Sequence, residues 1–439
     1  MSSKATRIDI FSLRTVPMRV FHLTWIAFFV CFFAWFACAP LMPLIAKEFH
    51  LSPGEVANIN IAAVAATILV RLIVGPLCDR LGPRRVYSAL LTLGAIPVFA
   101  LAFSHDYWTL LVCRLGIGAV GASFVITQYH TSVMFAPNVV GTANAAAAGL
   151  GNAGAGVAQA FVPLLVATAM MLGFGDASAW RVALIVPGIA MLIVAVLYWR
   201  YTQDSPRGDF VTLRAAGETV ESGKKGGWAS FALACRNYRV WMLAMTYGAS
   251  FGVEVFIHNI ASLYYVNHFH LSIRDAGLAA GIFGVLALFA RALGGWLSDR
   301  IAALRGLEVR PVLLAGLIAA EGLGLLVFAH AGNAGAAIGA MVVFGLFTHM
   351  ACGATYALVP FIDRQALGGV AGIVGAGGNV GAVAAGFLMK GVGDVQQTLT
   401  IIGGFVLASA ICALAVRFSA EHKAREAALR ASALAAKVA

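Results

Sequence analysis

Two arginines stand inside apolar stretches, and each opens the same phrase. Arg71-Leu-Ile-Val-Gly75-Pro-Leu77-Cys-Asp79-Arg80 and Arg291-Ala-Leu-Gly-Gly295-Trp-Leu297-Ser-Asp299-Arg300 both fit R-x-x-x-G-x-L-x-D-R, 220 residues apart. Guanidinium is planar, always charged and carries a fork of donors, so a matched buried pair is chemistry for a small anion. The bland alternative is that each arginine neutralises a buried carboxylate, for which Glu254 and Glu321 are the candidates. A second phrase also repeats. Gly149-Leu-Gly151-Asn152-Ala-Gly154-Ala-Gly156 and Gly375-Ala-Gly377-Gly378-Asn379-Val-Gly381 share G-N-x-G at an offset of 227, which Gly141 and Gly368 also keep. Glycine lets a neighbouring helix come close, and asparagine offers two donors and an acceptor. These phrases read as ligand-facing seams or as packing seams with an interhelical hydrogen bond. Glu254, His130, His258, Glu321 and His349 stand in apolar runs and can titrate. Glu254, one turn from Phe251, leads as a proton carrier, with His130 beside it as a candidate.

Composition dictates what must position these groups. The 439 residues are 61% hydrophobic and only 11% charged, with a mean hydropathy of +0.87. Soluble proteins carry about 25% charged residues, so this is an all-α integral membrane protein. Apolar segments fall near 22–45, 54–77, 85–104, 107–134, 140–171 and 179–201, then 238–267, 274–298, 309–330, 334–360, 367–390 and 396–418. At about 20 residues per span these make about 12 transmembrane helices in two six-helix halves. The division is 1–201, a cytoplasmic linker 202–237, a second half 238–418 and a cytoplasmic tail 419–439. The linker holds Asp204, Pro206, Arg207, Glu218, Lys224 and Lys225 and reads as a connection, not a domain. The basic N-terminus precedes a run long enough to span, which reads as a retained first helix.

Charge sorting sets the orientation. Of the 30 Lys and Arg, 23 fall on the side of the chain ends, 4 on the other side and 3 (Arg71, Arg114, Arg291) inside the membrane. That bias places both termini in the cytoplasm and explains the net charge of +11 without nucleic acid. Arg71 lies eight residues from Asp79, about 12 Å deeper along a helix, against a hydrocarbon half-thickness of about 15 Å. Both arginines therefore sit near the midplane, at a cost of about 2.5–3.5 kcal/mol each on insertion scales. Transporters built from repeats bind substrate at that depth, between the repeats. The seven cysteines form no CxxC or ligand cluster, so no metal, disulfide framework or cofactor is expected. No nucleophile–base constellation points to an enzyme. The expected unit is a monomer in the lipid bilayer.

The stretch Gly75-Pro-Leu77-Cys-Asp79-Arg80-Leu-Gly82-Pro-Arg84-Arg85 resembles the signature between helices 2 and 3 of the major facilitator superfamily. The second copy departs at Ile301-Ala302-Ala303. The resemblance implies a gate built from Asp79, Arg80, Arg84, Asp299 and Arg300. More narrowly, the chain is similar to the nitrate/nitrite porters of that superfamily, in the assimilatory, high-affinity branch. Phe33-Ala-Trp35-Phe36-Ala-Cys-Ala39-Pro40-Leu41, Gly121-Ala-Ser-Phe124, Thr127-Gln128-Tyr129-His130 and Tyr247-Gly-Ala-Ser-Phe251-Gly-Val-Glu254 carry the likeness. His130 stands where that branch usually has tryptophan. The resemblance implies that Arg71, Arg291, Asn152 and Asn379 bind the anion, that Phe124 and Phe251 sandwich it, and that Tyr247 donates to it. Aromatic edges suit the rim of a flat anion, which favours nitrate or nitrite over tetrahedral ions. The implied activity is proton-coupled uptake of nitrate and nitrite. Nitrate/nitrite exchange, carriage of another small anion such as a carboxylate, and an anion sensor without turnover stay open.

Overall fold

The computed structural model describes residues 4–136, 139–218, 228–363, 366–425 and 428. Among the described residues, twelve helices are long and apolar enough to cross a membrane, six before and six after residues 202–237. In chain order, α1 covers Val16–Phe36 and continues through a 3-10 turn at Ala39–Leu41 into Met42–Glu48. Helix α2 is Pro53–Leu81 and α3 is Pro83–Ala102. Helix α4 is in two pieces, α4a (Tyr107–Gly118) and α4b (Ser123–Met134), joined by a 3-10 turn at Ala119–Ala122. Helices α5 (Val140–Met171) and α6 (Asp176–Tyr201) complete the first set. The second set is α7 (Tyr238–Phe269), α8a (Ile273–Val285) with α8b (Ala287–Arg305), α9 (Val309–Ala329), α10 (Ala334–Leu358), α11 (Leu367–Val392) and α12 (Val395–Leu414).

Hydropathy alone blurs helix ends, but caps fix them. On the face opposite the chain ends, α2, α4a, α8a, α10 and α12 begin after Ser52, Asp106, Ser272, Asn333 and Asp394, each accepting a backbone N–H of the first turn. A side-chain acceptor there satisfies a donor the helix cannot. Ser52 and Glu55 add the reciprocal bond of a capping box.

The two sets meet along two seams, α2 with α11 and α5 with α8. In the second seam Gly156 lies against the backbone of Gly284, where a Cβ would have no room. Such contact replaces the hydrophobic drive that lipid does not supply. Among the described residues, several polar bonds between the sets lie toward the face opposite the chain ends. There Arg114 Nη2 donates to Asn259 Oδ1 (3.1 Å), Ser262 Oγ to Gln159 Oε1 (2.8 Å), Gln159 Nε2 to the His258 carbonyl (2.5 Å) and Lys390 Nζ to Asn58 Oδ1 (2.9 Å).

The stretch after α6 is more built than a plain connection. It holds helices at Phe210–Ala215 and Trp228–Cys235. The buried Asp204 carboxylate accepts from the backbone N–H of Arg84 (2.9 Å) and of Phe210 (3.0 Å). Burial pushes that carboxyl up, and the two N–H donors oppose the shift. Gly82 turns the α2–α3 corner at φ 87° directly against the carboxylate, so it needs both the left-handed backbone and the missing side chain. Lys224 and Lys225 lie outside the described residues.

Candidate functional site

Arg71 is 1% exposed on α2. The 3-10 turn in α4 leaves the Gly121 carbonyl available, and it accepts from Arg71 Nη2 at 3.1 Å. Across the seam, the Gly375 carbonyl of α11 accepts from Nη1 at 2.8 Å. The Asn379 amide turns its oxygen to the same guanidinium, accepting from Nη1 at 2.8 Å and Nε at 3.3 Å. The rings of Phe124 and Phe251 each lie 5.4 Å from the guanidinium carbon. Among the described residues no carboxylate pairs with Arg71. Its charge is solvated only by neutral dipoles and ring faces.

Arg291, on α8b, is 2% exposed and differs. Its Nη2 is ion-paired with Glu254 Oε2 from α7. The sequence left open whether Glu254 would balance an arginine, and the structure pairs it with this one. The backbone of α8b meets that of α10 at Gly353 without a side chain between, which brings Arg291 beside α10. Cys352 Sγ is 3.6 Å and His349 Nδ1 3.4 Å from the same Glu254 oxygen. The Arg291 guanidinium carbon is also 5.6 Å from the Phe251 ring centroid, so the two cations share one ring.

Aromatic walls complete the arrangement. Tyr247 stacks on Phe251 at 5.1 Å and 3°. Gly378 makes that stack possible, since a Cβ there would come within 2.6 Å of the Phe251 ring and 2.8 Å of the Tyr247 ring. Tyr356, from α10, packs edge-on against both Phe124 and Tyr247 at 5.1 Å. The buried hydroxyls of Tyr247 and Tyr356 and the Nε of Arg291 make no hydrogen bond. Both tyrosines lie within electrostatic reach of Arg291, and Tyr356 within that of Arg71. Buried polar atoms without partners are rare, and here they flank two cations, which is what an anion site needs. Tyr356 escaped the sequence reading. A signal existed, because Tyr129 precedes it by the 227 residues that separate the G-N-x-G phrases.

Other sequence candidates have other partners. Asn152 donates within its own helix to the Ala148 carbonyl at 2.7 Å, and its oxygen has no partner. His130 is bonded at both nitrogens, with Tyr198 Oη at 2.5 Å and the Gln203 carbonyl at 2.9 Å. That ties α4b to α6 and the segment after it. Arg84 pairs with Asp209 (2.5 Å), and its Nε donates to the Trp199 carbonyl (2.7 Å). The Arg80 carbonyl accepts from Arg214 (2.6 Å), Asp299 pairs with Arg310 (2.8 Å) and Arg300 lies 5.4 Å from the Trp296 ring. These contacts anchor each corner to its own set of helices or to the 202–218 segment. The side chain of Asp79 and all of Arg364 lie outside the described residues. The third intramembrane cation, Arg114, donates to the Trp35 carbonyl (2.8 Å) and to Asn259, away from the shared ring.

Comparison with known proteins agrees with this architecture. Residues 24–362 match the family model described as Major Facilitator Superfamily. "High affinity nitrate transporter 2.5" of Arabidopsis thaliana is 37% identical, covering 93% of this chain and 81% of its own length. "Nitrate transporter 2.1" of Chlamydomonas reinhardtii is 36% identical over 92% of this chain and 74% of its own. "Nitrate/nitrite transporter NrtP" of Nostoc punctiforme is 29% identical over 91% of both. A solved bacterial homolog of the human lysosomal transporter Spinster, inward-facing and unoccupied, superposes with a TM-score of 0.66 at 14% identity, covering 93% of this chain and 99% of that one, a likeness of fold. Relatives of this kind are transporters, not enzymes. With twelve spans, repeated halves and these relatives, the chain belongs to the nitrate/nitrite porter family of the Major Facilitator Superfamily.

Proposed function

We propose that this protein carries nitrate across the membrane by alternating access of its two six-helix halves, with Arg71 and Arg291 holding the anion. The observation that carries the reading is the charge balance around Phe251. One cation is neutralised by Glu254 and the other has only carbonyls, an amide and ring faces, so the site holds one excess positive charge. A single monoanion neutralises it. Flat aromatic walls and forked donors select a planar one, and the unbonded hydroxyls of Tyr247 and Tyr356 supply further donors. Nitrite has the same charge and a similar outline, and the NrtP relative is named for both anions.

Inward movement of an anion against an inside-negative potential costs about 2.3 kcal/mol per 100 mV, so uptake needs a driving ion. We place both termini in the cytoplasm of a cell membrane and assign proton symport as the drive, with Glu254 at the point where proton and anion meet. The Glu254–Arg291 pair supports this reading, because a proton arriving there releases a guanidinium for the anion. We assign a monomer as the working unit.

The test is nitrate counterflow in proteoliposomes with wild type, Arg71→Lys and Arg291→Lys. Lysine keeps the charge and loses the fork. Charge-assisted hydrogen bonds contribute about 1.5–3 kcal/mol each, so a fall of roughly 10- to 100-fold is expected. Undiminished transport by both variants would refute a forked site. Equal displacement of nitrate by formate or oxalate would point to a carboxylate carrier, and binding without counterflow to a sensor.

A further inference from the structure

Beside Glu254 lies a histidine that the anion site does not use. His349, on α10, is fully buried, and its Nε2 is 2.9 Å from the carbonyl oxygen of Phe283. That carbonyl is in the last turn of α8a, just before the helix is interrupted at Leu286, where carbonyls lose their intrahelical partners. A carbonyl can only accept, so Nε2 carries the hydrogen and Nδ1 of the neutral ring presents a lone pair. Nδ1 faces Glu254 Oε2 at 3.4 Å and makes no hydrogen bond. Two lone pairs therefore look at each other across a gap that one proton would turn into a charge-assisted bond.

We propose that His349 Nδ1 takes up the proton that travels with the anion, and that this proton releases Arg291 by competing with it for Glu254 Oε2. The proposal rests on the symport reading above. A proton from water on one side adds to the Nδ1 lone pair to give imidazolium, and it returns to water on the other side. No covalent bond within the protein changes. While the proton is bound, Oε2 is shared between imidazolium and guanidinium, and the site gains one positive charge that a monoanion offsets. The surroundings suit this exchange. Glu254 Oε1 has no partner, so it is free to take one of the two donors when Oε2 is drawn to the other. From α7, His258 lies within electrostatic reach of both His349 and Glu254, and neither of its ring nitrogens is bonded. It stands one turn beyond Glu254, toward the face opposite the chain ends, in line for a proton entering there. From α9, the buried Glu321 lies within electrostatic reach of Glu254, beside Ser250 and Thr348. From α8b, Arg291 faces the pair, and Cys352 lies one turn along α10.

The experiment compares wild type with His349→Gln in proteoliposomes. The readout is nitrate uptake driven by an inward proton gradient, divided by nitrate–nitrate counterflow in the same vesicles, with proton entry followed by an internal pH dye. Glutamine keeps a donor for the Phe283 carbonyl and cannot become a cation. In wild type the gradient should raise the ratio several-fold. In His349→Gln the gradient should leave the ratio unchanged and the nitrate-dependent dye signal should vanish. A variant that keeps the wild-type ratio overturns the role of His349 and leaves symport standing. Wild type that exchanges nitrate for internal nitrite but ignores the gradient removes the symport reading itself. If the variant loses counterflow as well, nitrate affinity in detergent, compared at about pH 6 and about pH 8, decides. Linkage allows up to about tenfold per pH unit. Affinity that tightens on acidification in wild type and is flat in the variant supports the proposal, and tightening in both overturns it.

Discussion

Arg71 and Arg291 begin the same ten-residue phrase, yet they sit in opposite electrostatic settings. Arg71 has carbonyls, one amide and two ring faces, whereas Arg291 has a carboxylate. A duplicated sequence has thus given a divided pair. One cation is held charged and uncompensated, and the other is compensated by a group that can be drawn away. A symmetric pair would bind an anion with fixed strength. The divided pair lets that strength depend on the state of Glu254.

The largest expected effect tests the uncompensated side. Arg71→Gln removes the excess charge and should lower nitrate counterflow by roughly 100-fold or more, the loss of two charge-assisted bonds. If it kept wild-type rates, the two arginines would not differ as described. Next, Glu254→Gln leaves Arg291 buried without its counter-charge. Breaking a buried pair from one side costs about 3–5 kcal/mol, which a lower melting temperature in detergent would register. Nitrate should restore part of that loss, because it supplies the missing charge, and a melting temperature that nitrate does not move would break the comparison. A smaller effect belongs to the shared wall. Tyr356→Phe deletes a hydroxyl that bonds to nothing in the protein, so nitrate affinity should fall by about 5- to 10-fold, near 1 kcal/mol, while stability holds. The asparagines give the finest test. Asn379→Ala should weaken nitrate binding a few-fold by loosening Arg71, and Asn152→Ala should change it less, since Asn152 bonds only within its own helix.

Much of the fold was legible because lipid imposes a simple rule. A span needs about 20 apolar residues, so twelve segments could be counted. The interruptions in α4 and α8 were not legible, because a 3-10 turn or one missing intrahelical bond leaves hydropathy unchanged. Those interruptions matter to the site, since they hand Gly121 to Arg71 and Phe283 to His349. Arg71, Arg291, Phe251 and Tyr247 were readable from repeats and resemblance, and the structure brings them together. Asn379 joined them through a contact that sequence spacing cannot give. His130 did not, because its two nitrogens are taken by Tyr198 and Gln203, partners 68 and 73 residues away. Which acid would neutralise which arginine depended on the packing of α7 against α8b.

The bonds from Arg114 to Asn259, Gln159 to His258 and Ser262, and Lys390 to Asn58 all lie toward one face. At about 1 kcal/mol each they contribute a few kcal/mol toward closure of that face, which lowers the fraction of unloaded protein open there. Substrate arriving from the bonded face then meets a vestibule that is seldom open, and its apparent affinity is taxed by that fraction. Turnover should accordingly be paced by the empty protein's return stroke, and loosening any one of these clasps should speed the cycle before it harms it.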